Sequence, residues 1–320
     1  MELLIGVFIF CVVLFVYLHV NFQLRTSDDL EVYEVEDVAK NRLEEICDLR
    51  QPVIVDYHNP HISESITRSN LETTYPAFEV KIRNVAEIGT DDVFLPLQMR
   101  EATKLLGDGN RSQYYSENNT DFLQDTGAIK SMKYNDEYIR PYMVSNCNYD
   151  VMFGAEGVCT PFRYEINYRN YFYITEGDVV IKLAPPKSSK YLAEYEDYEN
   201  FEFRSSINPW NVQPTYRADF DKVKCLEVKL TAGKLIYIPP YWWYSIQFGK
   251  GSTIACFRYR TYMNNMAILP RLVMYMLQNQ NIKRDVVRKV HTLSPDVTDT
   301  LVPPDGTETT DAIEEKNDSP

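Results

Sequence analysis

Two segments of strand composition, Tyr171 to Leu183 and Lys222 to Ile238, do most to limit what this 320-residue chain can fold into. Aromatic and β-branched side chains suit the pleated, half-buried surface of a sheet. Each segment is broken once, by Gly177-Asp178 in the first and by Ala232-Gly233 in the second, and such breaks punctuate strands with turns. Further strands are expected at Gln51 to Val55 and at Ser252 to Tyr262. The 24 tyrosines against 12 glycines agree with a β-rich body. Taken alone, this patterning supports an antiparallel β-barrel or jelly roll with flanking helices.

The N-terminus is of another kind. Leu3 to Val20 carries no charged residue, and about 18 apolar residues suffice for a helix to cross a hydrocarbon core. A cleaved signal peptide would want a basic leader and small residues at its end, whereas Glu2 precedes the run and Tyr17-Leu18-His19-Val20-Asn21 closes it. The reading is a single-pass, uncleaved anchor over residues 1–21 that places the protein in a membrane through residues 3–20. A polar, acidic stalk follows over 22–34, then a folded domain over 35–290 and an acidic, disordered tail over 291–320. Net charge is −13 overall and −7 from Ser294 onward, which leaves −6 for the rest. That balance argues against a nucleic-acid partner. The cysteines outside the anchor show no paired spacing and read as reduced core thiols. Helices are expected over Val35 to Leu49 and Leu97 to Leu106, a polar loop over 107–125, and a long excursion over 187–217. Leu269, Leu272, Val273, Met276 and Leu277 repeat on one helical face, as core packing or as a dimer contact.

The residues that would carry chemistry follow Thr160-Pro161. The run Met152-Phe153-Gly154-Ala155-Glu156-Gly157-Val158-Cys159-Thr160-Pro161-Phe162-Arg163-Tyr164-Glu165 resembles the G-x-x-x-x-x-T-P-x-H-x-D strand of the JmjC/cupin-like oxygenases. Asn170-Tyr171-Phe172, Gly177 and Leu183-Ala184-Pro185-Pro186 continue the likeness in order. Lys234-Leu235-Ile236-Tyr237-Ile238-Pro239-Pro240-Tyr241-Trp242-Trp243 resembles that family's G-D-x-L-Y-I-P-x-x-W-W-H strand, nearest to the asparaginyl-hydroxylase branch. The resemblance implies a double-stranded β-helix over roughly residues 35 to 285. An anchor joined to such a domain is similar to proteins of large DNA viruses, which suggests a virion or host membrane.

Carried across residue by residue, the likeness also implies a dismantled centre. An Fe(II) oxygenase needs two imidazoles and a carboxylate on one face of its metal. The first histidine falls on Arg163, the carboxylate on Glu165 and the distal histidine on Tyr244. The lysine that would meet 2-oxoglutarate falls on Val179, while Thr160 and Asn170 remain at cosubstrate positions. Lys182, three residues from Val179, should lie on the opposite strand face and be solvated. A guanidinium has no lone pair to offer a cation. Neither Fe(II) nor 2-oxoglutarate is therefore expected. Arg163 and Glu165, two apart on one strand, are expected to form an ion pair joined by the Tyr244 hydroxyl; the rival is that Arg163 holds a small anion. Arg258 and Arg260 read as a solvated face, Trp242 and Trp243 as barrel wall. His19, His58, His61 and His291 are scattered and offer no second metal site.

Three functions stay open: an inactive, membrane-tethered structural or interaction module with an unknown protein partner, a hydroxylase or demethylase with unusual ligands, and a binder of a small anionic ligand.

Overall fold

The glycine breaks are the places where the chain steps between two sheets. The computed structural model describes residues 2–85, 94–107, 113–198 and 200–280. Its first strands are β1 (Tyr33–Val35), β2 (Val53–Asp56), β3 (Glu79–Asn84), β4 (Leu95–Gln98) and β5 (Tyr114–Ser116). Then come β6 (Val144–Gly154), β7 (Arg163–Tyr164), β8 (Arg169–Glu176), β9 (Asp178–Ala184) and β10 (Glu194–Asp197). The last are β11 (Glu202–Ser205), β12 (Leu226–Thr231), β13 (Lys234–Ile238), β14 (Trp243–Phe248) and β15 (Thr253–Thr261). Nine strands run β1-β2-β13-β8-β15-β6-β5-β3-β4 and six run β10-β11-β7-β14-β9-β12. The pairing is antiparallel throughout apart from β1 with β2.

From β8 onward, successive strands cross between sheets: β8 and β9, β12 and β13, β14 and β15 each place one member in each sheet. Gly177 makes the first crossing at φ +73°, where a Cβ would lie 2.7 Å from Ser252 Cα. Only glycine avoids both the left-handed strain and that collision. Central strands are covered on both faces, so they read as nearly unbroken apolar runs, as in Tyr171-Phe172-Tyr173-Ile174 and Leu235-Ile236-Tyr237-Ile238. Trp242 and Trp243 are fully buried, their indole N–H groups donating to the Arg50 carbonyl at 3.1 Å and Ser189 Oγ at 2.8 Å. All six cysteines are free.

Nine helices with defined ends flank the sheets among the described residues: α1 (Glu2–Leu24), α2 (Lys40–Cys47), α3 (Pro60–Ser65), α4 (Arg68–Thr74), α5 (Met99–Gly107), α6 (Thr120–Asp125), α7 (Ile129–Asn135), α8 (Arg217–Phe220) and α9 (Tyr262–Ala267). The one long and apolar enough to cross a membrane is α1. The segment expected as a stalk lies against the folded body. Phe22 packs under the Arg50 guanidinium, Lys187 donates its backbone N–H to Asp28 at 2.9 Å, and β1 joins the large sheet.

Three sequence expectations need correction. The loop expected over 107–125 contains β5 and α6, because its polar residues are satisfied inside the fold. Asn119 accepts from the Lys81 N–H and donates to Ser116 Oγ and the Val151 carbonyl. The excursion over 187–217 contains β10 and β11. The helix begun at Leu269 forms, over residues 269–280, but its apolar stripe is not core. Leu269, Val273, Met276 and Leu277 are each between 44% and 61% exposed, while Leu272 packs inward. The chain divides after Tyr275, and the second unit is described only over residues 276–280. The expected tail over 291–320 lies outside the described residues.

Candidate functional site

Arg163 opens β7, a two-residue strand held on one side by β14, with Tyr244 opposite Arg163, and on the other by β11. This register turns the guanidinium into the space between the sheets, where its side chain is 6% exposed. It does not meet Glu165, as the sequence led one to expect. Its two Nη groups donate to Glu117 Oε2 at 2.6 Å and to Glu202 Oε1 at 2.7 Å. Arg83 on β3 closes the figure from the other side, donating to Glu117 at 2.7 Å and to Glu202 at 3.0 Å. Tyr115 adds its hydroxyl to Glu117 at 2.9 Å. Arg83, Arg163, Glu117 and Glu202 thus form a buried square of alternating charge, with Arg204 3.9 Å from Glu202 at its edge.

Burial alone would raise both carboxyls. The Arg163 and Arg83 guanidiniums overcome it and hold Glu117 down, to about 2. Glu202 is lowered against the same burial cost by Arg83 and Arg163. Charge-assisted bonds of this kind are among the strong ones.

Glu165 belongs to a second group. It accepts from the Tyr244 hydroxyl at 3.1 Å, from Arg258 Nε at 3.2 Å and from Asn167 Nδ2 at 3.2 Å. Arg258 reaches on to Asp150 at 3.5 Å. Arg258 and Arg260 therefore do not form a solvated face: β15 is central in its sheet, so the outward side of the alternation faces the inter-sheet cavity. Arg260 donates to Asn167 Oδ1 at 2.6 Å. Tyr244 is fully buried, and burial pushes its hydroxyl far above the ordinary phenol range. A polar cavity of about 320 Å³ opens above these groups, lined among others by Asn118, Asn148, Asn167, Arg163, Glu165 and Arg260.

The remaining sequence-derived positions have structural partners. Thr160 Oγ1 accepts from the Ile246 N–H at 2.9 Å and the Thr160 carbonyl accepts from Ser245 Oγ at 2.6 Å, tying the approach to β7 onto β14. Asn170 donates to the Ile238 carbonyl at 3.2 Å and accepts from Asn167 at 3.1 Å. Val179 is fully buried. Lys182 is not simply solvated: its ammonium lies 4.4 Å from the Trp210 ring centroid and donates to the Pro209 carbonyl at 3.3 Å.

Sequence reasoning missed Glu117, Glu202, Arg83 and Asp150. Glu117 and Glu202 lie in stretches whose composition read as loop, and no local pattern separates a buried acid there from a solvated one.

Two antiparallel sheets joined by hairpins that cross between them, with a polar cavity at their centre, define a cupin-type β-domain. A family model described as a cupin-like domain matches residues 39–261, and the chain belongs to that family. No curated protein was found to match it.

The likeness implies Fe(II) and 2-oxoglutarate, but the residues here do not fit them. Arg163 has no lone pair to offer a metal, and both its Nη groups are given to carboxylates. Among the described residues no three His, Cys, Asp or Glu side chains group so as to hold a metal ion. At the lysine position, Val179 has no polar side-chain atom to meet a carboxylate.

Proposed function

We propose that this protein is a non-catalytic member of the cupin-like family, held to a membrane by α1 and acting as a structural or interaction module. The observation that carries the reading is the closed square of Arg83, Arg163, Glu117 and Glu202. A buried charge is costly unless paired, and here each charge is paired at least twice. Charges paired in this way would need no metal to balance them. Binding of a small anion through Arg163 is disfavoured, because both Nη groups are already given to carboxylates. The likeness to asparaginyl hydroxylases supports common ancestry of fold rather than shared chemistry. An anchored module of this design would suit a virion or host membrane.

The test is to purify the full chain in detergent, incubate it anaerobically with ferrous iron and 2-oxoglutarate, and measure bound iron and succinate formation. Iron well below one equivalent with no succinate above the protein-free background is expected. Stoichiometric iron, or turnover, would establish the hydroxylase alternative instead.

A further inference from the structure

The apolar surface around α9 has a definite relation to α1. α1 packs along α9, and the α1 residues that lose exposure are Val16, His19, Val20 and Gln23. The uncharged run from Leu3 to Val20 is about 27 Å long as a helix, close to the roughly 30 Å of a hydrocarbon core. Leu3 to Phe15, the part that stands clear of α9, is only about 20 Å long and cannot span that core unaided. The segment from Val16 to Val20 must then lie within the apolar layer, which brings α9 with it to the bilayer face.

The surface at that level suits such a place. From Tyr262 to Tyr275 the sequence contains one charged residue, Arg271. That residue folds back over the rings of Phe203 and Tyr241, 3.6 Å from Glu196, and its side chain is 28% exposed. What remains outward is apolar: Tyr262, Met266, Leu269, Val273 and Met274 are each at least 44% exposed. Exposed apolar residues gathered in this way mark an interaction surface, and tyrosine with long aliphatic side chains fits the headgroup boundary.

We propose that α9 and the first turns of the following helix form a lipid-embedded shoulder beside the α1 span, so that the cupin-like domain sits on the bilayer rather than above it. This rests on α1 crossing the membrane. The occupant is the lipid itself, with a second copy of the chain as the competing outcome.

The test uses the full chain reconstituted into phosphatidylcholine vesicles with and without brominated acyl chains. Met266→Trp and Val273→Trp report on the shoulder. Glu156→Trp, in the turn after β6 at the far end of β15, roughly 27 Å from α9, serves as reference, and the unsubstituted chain gives the background of the native tryptophans. Expected is at least twofold quenching of the added fluorescence at 266 and 273 by brominated lipid, with little at 156. Release of the unsubstituted chain from vesicles by alkaline carbonate would overturn the anchor and the shoulder together. Retention in carbonate without quenching at 266 and 273 would overturn the shoulder alone. In that event, a dimer in detergent that Met266→Glu dissociates would assign the surface to a second copy.

Discussion

Replacing Arg163 with methionine keeps much of the volume and removes the charge, which isolates what the guanidinium contributes. Glu117 loses its 2.6 Å bond and Glu202 its 2.7 Å bond, which leaves Glu117 with Arg83 and leaves Glu202 with Arg83 and, at 3.9 Å, Arg204. Since the side chains of Glu117 and Glu202 are 1% and 11% exposed, water cannot make good the loss. Removing one partner from a buried ionic group costs about 3–5 kcal/mol. For a domain of this size that corresponds to a fall in Tm of roughly 6–20 °C, read by circular dichroism on the detergent-solubilised chain. Adding Glu202→Gln restores the balance of charge and is expected to recover at least half of the loss. The pH dependence has a fixed sign. Glu117 is held below its unfolded value of about 4.3, so its stabilising effect is complete above that pH and disappears as the pH falls through its folded value. In Arg163→Met the carboxylates instead gain by protonating, so the gap from the natural chain narrows from pH 7 towards pH 4. A fall in Tm below 2 °C at pH 7, or a gap that widens in acid, would refute a buried, paired square.

Two further outcomes are open to the same assay. Thr160→Val deletes the acceptor for the buried Ile246 N–H and is expected to cost about 1–3 kcal/mol, a structural penalty at a position the family resemblance makes a cosubstrate contact. Gly177→Ala forces a side chain into left-handed backbone and against Ser252; roughly 2–4 kcal/mol is expected, and a loss under 0.5 kcal/mol would contradict the geometry of the β8–β9 crossing.

The strands were legible because their residues obey local rules. Gly177 and Gly233 mark crossings that demand positive φ, and the runs around Tyr171 and Tyr237 are apolar enough to be buried on both faces. Positions 163, 165 and 244 could be singled out because their flanks resemble a family pattern. The partners were not. Which acid meets Arg163 depends on how β5 and β11 come alongside β7, and Glu117 and Glu202 are 46 and 39 residues away in sequence. The same limit misled the reading of Arg258, which alternation placed on one face without saying whether that face meets water. Leu269 and Val273 show the converse: their spacing specified a helix, while nothing local specified which surface it would cover.

The closed square also bears on how such a centre can change over generations. A lone Arg163→His substitution introduces an imidazole but removes the cation shared by two buried acids, so on the proposed reading a first step towards metal binding is penalised before any ion can reward it. A metal centre at this place would need coordinated changes at 163, 244 and at least one of the acids. On that reading, residues that satisfy one another would act as a ratchet that favours the scaffold role proposed above.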